Sequence, residues 1–141
     1  MNNGAADFID EVFCPGAAFL PGGYRLLSAG EVVERYEMHI EILEGLGDEE
    51  MVGWLWHPAW VPFAEHVSAD VLAIDLRAGP GRGAVGESYN DSGTTFDWGP
   101  CLAAVIERFA VSVETGSGFG HYWPQVVDGC LEWDVVVSPG E

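Results

Sequence analysis

The sequence predicts a single-domain α+β fold in which a mostly antiparallel sheet is flanked by helices. The apolar run of residues 71–78 and a returning strand at residues 84–91 are separated by the glycine-rich turn 79–83, a pattern typical of a β-hairpin with a longer loop. Two further segments, 28–44 and 100–114, carry apolar residues at the three- and four-residue spacing of a helix. Strands paired locally, with helices before and after them, favour this class.

The first helix is predicted to start with a capping box and to end at glycines. Ser28 is the expected N-cap, and Glu31 can reach back to its backbone, while Gly45 and Gly47 stop the helix. The expected buried stripe consists of Val32, Tyr36, Ile40 and Leu43.

An aromatic and proline-rich segment follows this helix. The prolines keep the backbone extended and prevent a helix, so the aromatic side chains are expected to cap one edge of the sheet. The residues concerned are Trp54, Trp56, Pro58, Trp60, Pro62 and Phe63.

The hairpin and the segments after it complete the predicted elements. The nearly continuous apolar run 71–78 suits a strand covered on both faces. Residues 94–98 are predicted to form a short strand, and Pro100 to be the first residue of the second helix. The core-facing residues expected in that helix are Leu102, Ile106, Phe109 and Val113, and residues 126–127 and 135–137 could supply late strands.

Composition limits the function classes. A chain of 141 residues with 48% hydrophobic residues and six tryptophans predicts one folded domain. Neither a membrane-spanning run nor a signal peptide is indicated, so a cytoplasmic protein is expected. Cys14, Cys101 and Cys130 lack Cys-x-x-Cys spacing, and all three are expected to be reduced packing residues.

Strong acidity is the second functional signal. Five arginines and no lysines face 23 acidic residues, giving a net charge of -18. Such a field repels nucleic acid and anionic lipid and speeds association with basic partners, although acidity can also simply keep a protein dispersed. In the first helix, carboxylates recur at three- and four-residue steps that cost about 0.2 to 0.5 kcal/mol each. These are Glu34, Glu37, Glu41 and Glu44, followed by Asp48, Glu49 and Glu50 beyond the helix end; they form either a solvated face or a binding surface.

Catalytic and metal-binding patterns are weak. Glu65, His66 and Asp75 could form an acid-base group for a small hydrolase if they converged in a pocket, but no nucleophile motif accompanies them. The histidines at positions 39, 57, 66 and 121 lack metal-ligand spacing, and His39 is expected to be a hydrogen-bonded boundary residue. No cofactor or metal is predicted.

The order of three motifs resembles the SUKH superfamily, which includes bacterial immunity proteins and a fungal regulator of cell-wall assembly. The motifs are Trp60-Val61-Pro62-Phe63-Ala64, Val71-Leu72-Ala73-Ile74-Asp75-Leu76, and Gly79-Pro80-Gly81 with Val85-Gly86 behind it. Tyr24-Arg25-Leu26-Leu27-Ser28 with Glu31, and Trp98 followed by residues 102–113, extend the resemblance. It covers roughly residues 4–116, so we expect a SUKH-like domain over 1–116 and an extension, 117–141, packed on it.

One departure concerns the first residues. The family usually opens with a helix that ends in Asn-Gly, whereas Asn3-Gly4 already stands at the start of this chain. Either initiation lies further upstream or the domain is shortened. An uncovered sheet patch would then favour self-association, so a monomer or weak homodimer is expected.

The resemblance implies a non-catalytic protein that neutralises a toxin by covering its active surface. Together with the charge, it implies a basic, nuclease-type partner and no binding to nucleic acid or membrane. The expected contact residues are the seven acidic residues of the first helix and its end, with Glu87, Asp91 and Asp97 around the hairpin. A cellular scaffold or regulator remains the alternative, and a small hydrolase the third.

Overall fold

The computed structural model describes residues 18–90 and 92–135, and these contain two helices and seven strands. The predicted α+β class is confirmed: five strands form an antiparallel sheet in sequential order, and two later strands form a separate hairpin. Within this part of the chain, neither helix is long and apolar enough to cross a membrane. The residues form two compact units, one of Leu26–Glu107 and one of the described residues 18–25 and 108–135.

The elements follow a simple order. Strand β1 is Arg25–Leu26, helix α1 is Ala29–Leu46, and a short 3-10 helix spans Glu49–Met51. Strands β2 to β5 are Trp60–Glu65, Val71–Asp75, Val85–Tyr89 and Gly93–Gly99, and helix α2 is Leu102–Thr115. Strands β6 and β7, Tyr122–Val127 and Cys130–Val135, pair antiparallel.

Helix α1 begins as its sequence predicts. The Glu31 amide donates to the Ser28 hydroxyl, and the Ser28 amide donates to the Glu31 carboxylate, which completes the capping box. The end differs, because the helix continues through Gly45 to Leu46. Gly47 takes the left-handed conformation, with φ of 63°, and its amide bonds back to the Glu44 carbonyl.

Strand β2 passes through the proline-rich segment. Trp60 pairs with Asp75, and the register shifts between Pro62 and Ala64, where a bulge accommodates the proline. The prediction that the tryptophans cap one sheet edge is wrong for Trp56 and Trp60. Both are fully buried in the core, packed with Leu43 from helix α1 and with residues of β3, because a large aromatic surface is best removed from water there.

The predicted hairpin is confirmed as β3 and β4, which are antiparallel, with residues 76–84 between them. Strand β3 ends at Asp75, three residues before the predicted end, because the chain turns there. The Asp75 carbonyl accepts a bond from the Gly83 amide, and Leu76 donates to Ala59. Gly79 and Gly83 have φ of 128° and 96°, which explains the glycines of this turn.

Two predictions for α2 are wrong. Pro100 precedes the helix, which begins at Leu102. Ile106 and Val113 are 45% and 41% exposed, whereas Val105 is buried. Since residues three and four apart share a helix face, the buried face of α2 is rotated from the one predicted.

The second unit has its own aromatic contacts. Phe109 and Phe119 both contact the Trp133 ring, whose Nε1 donates to the Phe19 carbonyl at 2.8 Å. Cys130 is disulfide-bonded, so the expectation of three reduced packing cysteines is wrong, whereas Cys101 is a free, exposed thiol. The predicted late strands are confirmed over β6 and for Val135; residues 136–137, the N-terminal segment and Cys14 lie outside the described residues.

Candidate functional site

A groove with a volume of about 400 Å³ lies beside α1 in the larger unit. Tyr36, Ile40 and Leu43 line it from α1, and Pro58 lines it from the segment before β2. The Tyr36 hydroxyl donates to the Pro58 carbonyl at 2.7 Å and so ties the helix to the opposite wall. We call these four residues, together with Glu37, Glu41 and Glu44, the α1 groove.

Three of the predicted contact residues line this groove. Glu37, Glu41 and Glu44 are exposed and stand along its rim at helical steps of four and three residues. None of them has an ion-pair partner within the described part of the chain. Within residues 18–90 and 92–135, solvent and salt rather than a paired cation screen their mutual repulsion.

The basic residue of α1 faces away from these carboxylates. The Arg35 Nε and Nη2 atoms donate to the two carboxylate oxygens of Glu65 at 2.7 and 3.1 Å, a bidentate pair across to β2. Arg35 also lies 3.6 Å from Glu34, whose side chain is 73% exposed. Glu34 thus belongs to the acidic stripe in sequence, but its charge is partly balanced.

The other predicted contact residues are spread more widely. Asp48, Glu49 and Glu50 are exposed just beyond the end of α1, where the helix dipole adds negative potential, and Asp48 accepts from the Glu50 amide at 2.9 Å. They extend the acidic surface of the α1 groove.

Of the three hairpin residues, Glu87 is half-buried and accepts hydrogen bonds from Trp98 Nε1 and the Tyr89 hydroxyl. Its carboxylate therefore has a structural role within the sheet. Asp97 is exposed on β5, and Asp91 lies outside the described residues.

The structure does not bring together the residues of the alternative catalytic group, Glu65, His66 and Asp75. Glu65 pairs with Val71 in the β2–β3 ladder, whereas Asp75 pairs with Trp60, so the two acids lie at opposite ends of that strand pair, about 15 Å apart. Each is also engaged elsewhere, Glu65 with Arg35 and Asp75 with Arg77.

Asp75 and His66 each make hydrogen bonds with residues close to them in sequence. Burial opposes ionisation of Asp75, but hydrogen bonds from the side chain and backbone of Arg77 outweigh it and lower the pKa of this carboxyl. The Nδ1 atom of His66 lies 2.9 Å from the Ser68 hydroxyl within a local turn.

In the residues that the structure covers, no group of three histidine, cysteine or acidic side chains is arranged to hold a metal ion.

His39 is half-buried, which confirms its predicted boundary position, but the predicted hydrogen bond is absent from the described structure. Its ring stacks on Trp56, with centroids 4.1 Å apart and an angle of 13°, and its buried Nε2 has no hydrogen-bond partner in the described structure. Burial, and secondarily the positive charge of Arg35, lowers the pKa of His39 from its ordinary value of 6.5.

This position of His39 predicts acid sensitivity. The unfolded chain binds a proton near pH 6.5, while the folded chain binds it only at lower pH, so the stabilising effect of a neutral His39 is complete above that pH and falls as the pH drops through it. When the pH is lowered from about 7.5 to 5.5, the melting temperature of both proteins should fall. We expect this fall to be about 3 °C smaller for His39→Phe than for the wild type.

Thermal unfolding at the two pH values, with His121→Gln as a control for an exposed histidine, measures this difference. A wild type and His39→Phe variant with parallel pH profiles would contradict the lowered pKa of the half-buried His39.

Comparisons with known proteins add no assignment to this geometry. No protein-family model matches the chain, and no curated protein matches it. The site is therefore defined by its own residues: an α+β domain with an acidic, partly apolar groove on one helix.

Sequence reasoning missed the apolar half of this groove. Pro58 meets Tyr36 across 22 residues of chain through a single hydrogen bond, and no local pattern encodes that contact. The visible signal was the acidic stripe, which marks the rim alone.

Proposed function

We propose that this protein is a non-catalytic, SUKH-like binding domain that neutralises a basic, nuclease-type toxin by covering the toxin's active surface. The observation that carries the proposal is the rim of the α1 groove, where Glu37, Glu41 and Glu44 have no ion-pair partner among the described residues. A helix that retains repulsive charges beside an apolar groove is suited to a partner that supplies the missing positive charge.

Electrostatics makes such a partner physically reasonable. Nucleases bind a polyanion and therefore carry basic grooves, which a surface of net charge -18 attracts over a distance set by salt. An acidic helix that enters such a groove would compete with the nucleic acid for the same cations. This mechanism needs no reaction by the protein itself.

The proposal includes a cytoplasmic location, where an immunity protein would meet its toxin. The disulfide at Cys130 weighs against this location, because such bonds form mainly in oxidising compartments. Alkylation and mass spectrometry of the protein taken directly from its cells decide between a reducing and an oxidising compartment. A Cys130 that the reagent does not alkylate, because it is held in a disulfide, would overturn the cytoplasmic location.

Charge reversal tests the proposed function. The doubly substituted variant with Glu37→Lys and Glu41→Lys should bind a captured basic partner at least about tenfold more weakly, with slower association, because both side chains are exposed and act through charge. The fold should be retained, since the change removes like-charge repulsion along α1. Capture of the tagged protein's partner in low and then high salt, followed by surface plasmon resonance, provides the measurement.

The matched control reverses two exposed acids on α2, Glu107→Lys with Glu114→Lys, and so changes the net charge equally. Equal loss in both variants would show a non-specific charge effect and overturn the site. A captured partner that is a resident cellular complex without toxic activity would overturn immunity in favour of a regulatory role.

A further inference from the structure

The α1 groove combines an apolar floor with an acidic rim. Leu43 is only 7% exposed and closes the bottom, Ile40 is half-buried beside it, and Pro58 forms the far wall. A volume of about 400 Å³ is enough for one or two side chains of leucine size. Charge alone would not require such a cavity.

One exposed apolar residue of α1, Val33, lies beyond the residues that line the groove. Val33 is 55% exposed and lies seven residues before Ile40, two turns along the same face, with Glu37 between them. The Val33 and Ile40 side chains are therefore about 10 Å apart along the helix axis, with the Glu37 carboxylate between them. That spacing corresponds to two turns of a partner helix rather than to a single inserted side chain.

The acidic rim has the same length. Glu37 and Glu44 are seven residues apart, or about 10 Å along the axis, with Glu41 between them. A partner helix that packs beside α1 would place its own basic residues, at three- and four-residue steps, opposite these carboxylates. The acidic rim and the two apolar residues thus favour one type of occupant.

We propose that the α1 groove binds a basic amphipathic helix of the partner protein. Leucine-sized side chains of that helix fill the groove against Tyr36, Ile40 and Pro58, while lysines or arginines flanking them pair with Glu37, Glu41 and Glu44. This inference rests on the proposed function and specifies the segment of the partner that is recognised. It also divides the interaction into a salt-dependent charge component and an apolar component that salt weakens little.

Two synthetic peptides of about 15 residues, identical in composition and charge, test the proposal. In the first, leucines recur at helical spacing on one face and lysines or arginines occupy the flanks; in the second, the order is scrambled so that the leucines share no face. Isothermal titration at about 20 and 300 mM salt should show the amphipathic peptide binding at least about tenfold more tightly at both.

Two substitutions assign the binding to the groove. Val33→Asp should weaken the amphipathic peptide about fivefold and leave the scrambled one unchanged or slightly tighter, because it removes apolar surface while adding negative charge. Val111→Asp, on α2, is the matched control at a residue of 48% exposure and should change neither. Glu41→Lys should weaken both peptides.

The outcomes separate this inference from the proposed function. Equal affinities for the two peptides, or failure of both to bind at low salt, would overturn the helix-binding groove. The proposed function is tested separately, by capture of the basic partner and by the loss of its binding to the variant with Glu37→Lys and Glu41→Lys. An amphipathic peptide that binds with full affinity to Val33→Asp would likewise overturn the assignment.

Discussion

Replacing Gly86 with alanine is expected to destabilise the protein by about 3 kcal/mol or more and to lower its melting temperature by about 10 °C. Gly86 lies in the middle of β4, opposite Ala73 of β3. A Cβ at this position would overlap the carbonyl oxygen of Thr95 and the Cα of Phe96. Both atoms belong to the backbone, so a side-chain rotation cannot relieve the overlap.

The close approach arises from the irregular pairing of β4 with β5. The register shifts between Val85 and Glu87, which places extra residues of β5 opposite Gly86. Differential scanning calorimetry of Gly86→Ala tests this geometry.

The matched control is Gly81→Ala, since Gly81 has an ordinary φ and no atom within 4 Å of the added Cβ. It should change stability by less than about 0.5 kcal/mol. A Gly86→Ala variant as stable as this control would contradict the bulge.

Removing the indole of Trp60 is expected to have an effect of similar size. Trp60 is 1% exposed and packs edge-on against Trp56 and Phe96, while the Arg77 guanidinium lies 5.3 Å from its ring centre. Trp60→Ala leaves a large cavity at the centre of this cluster and should cost about 3 to 5 kcal/mol. Denaturant unfolding followed by circular dichroism gives the value.

A Trp60→Phe variant separates packing from hydrogen bonding. The buried Nε1 of Trp60 has no hydrogen-bond partner in the described structure, so phenylalanine removes no such bond and keeps an aromatic ring. Its cost should be about 1 to 2 kcal/mol, well below that of alanine. Equal costs for the two substitutions would contradict a packing role and indicate a bond to the indole nitrogen.

The parts of the fold that local patterns determine were predictable. The capping box at Ser28 and Glu31 fixes where α1 begins, and the glycine turn after β3 fixes the hairpin. Strand β2 was harder, because Pro62 normally argues against a strand inside a sheet. The bulge between Pro62 and Ala64 accommodates it, and that bulge depends on the partner strand.

The parts that depend on distant contacts were not predictable. The face of α2 was misjudged because Ile106 and Val105 are equally apolar and periodicity could not choose between them. At the site, the spacing of the carboxylates at 37, 41 and 44 predicted an acidic stripe. The sequence alone did not show whether Arg35 neutralises part of their charge. Only the pairing of Arg35 with Glu65 shows that it is turned toward β2.

The bond between the Tyr36 hydroxyl and the Pro58 carbonyl has an entropic consequence for recognition. It holds the two walls of the α1 groove at a fixed separation before any partner arrives. Immobilising a side chain at an interface costs about 0.5 to 1.5 kcal/mol, and that cost is already met here for Tyr36. In the proposed complex, the remaining cost of ordering would fall mainly on the partner segment, so a segment that is already rigid when free would bind more tightly than a flexible one.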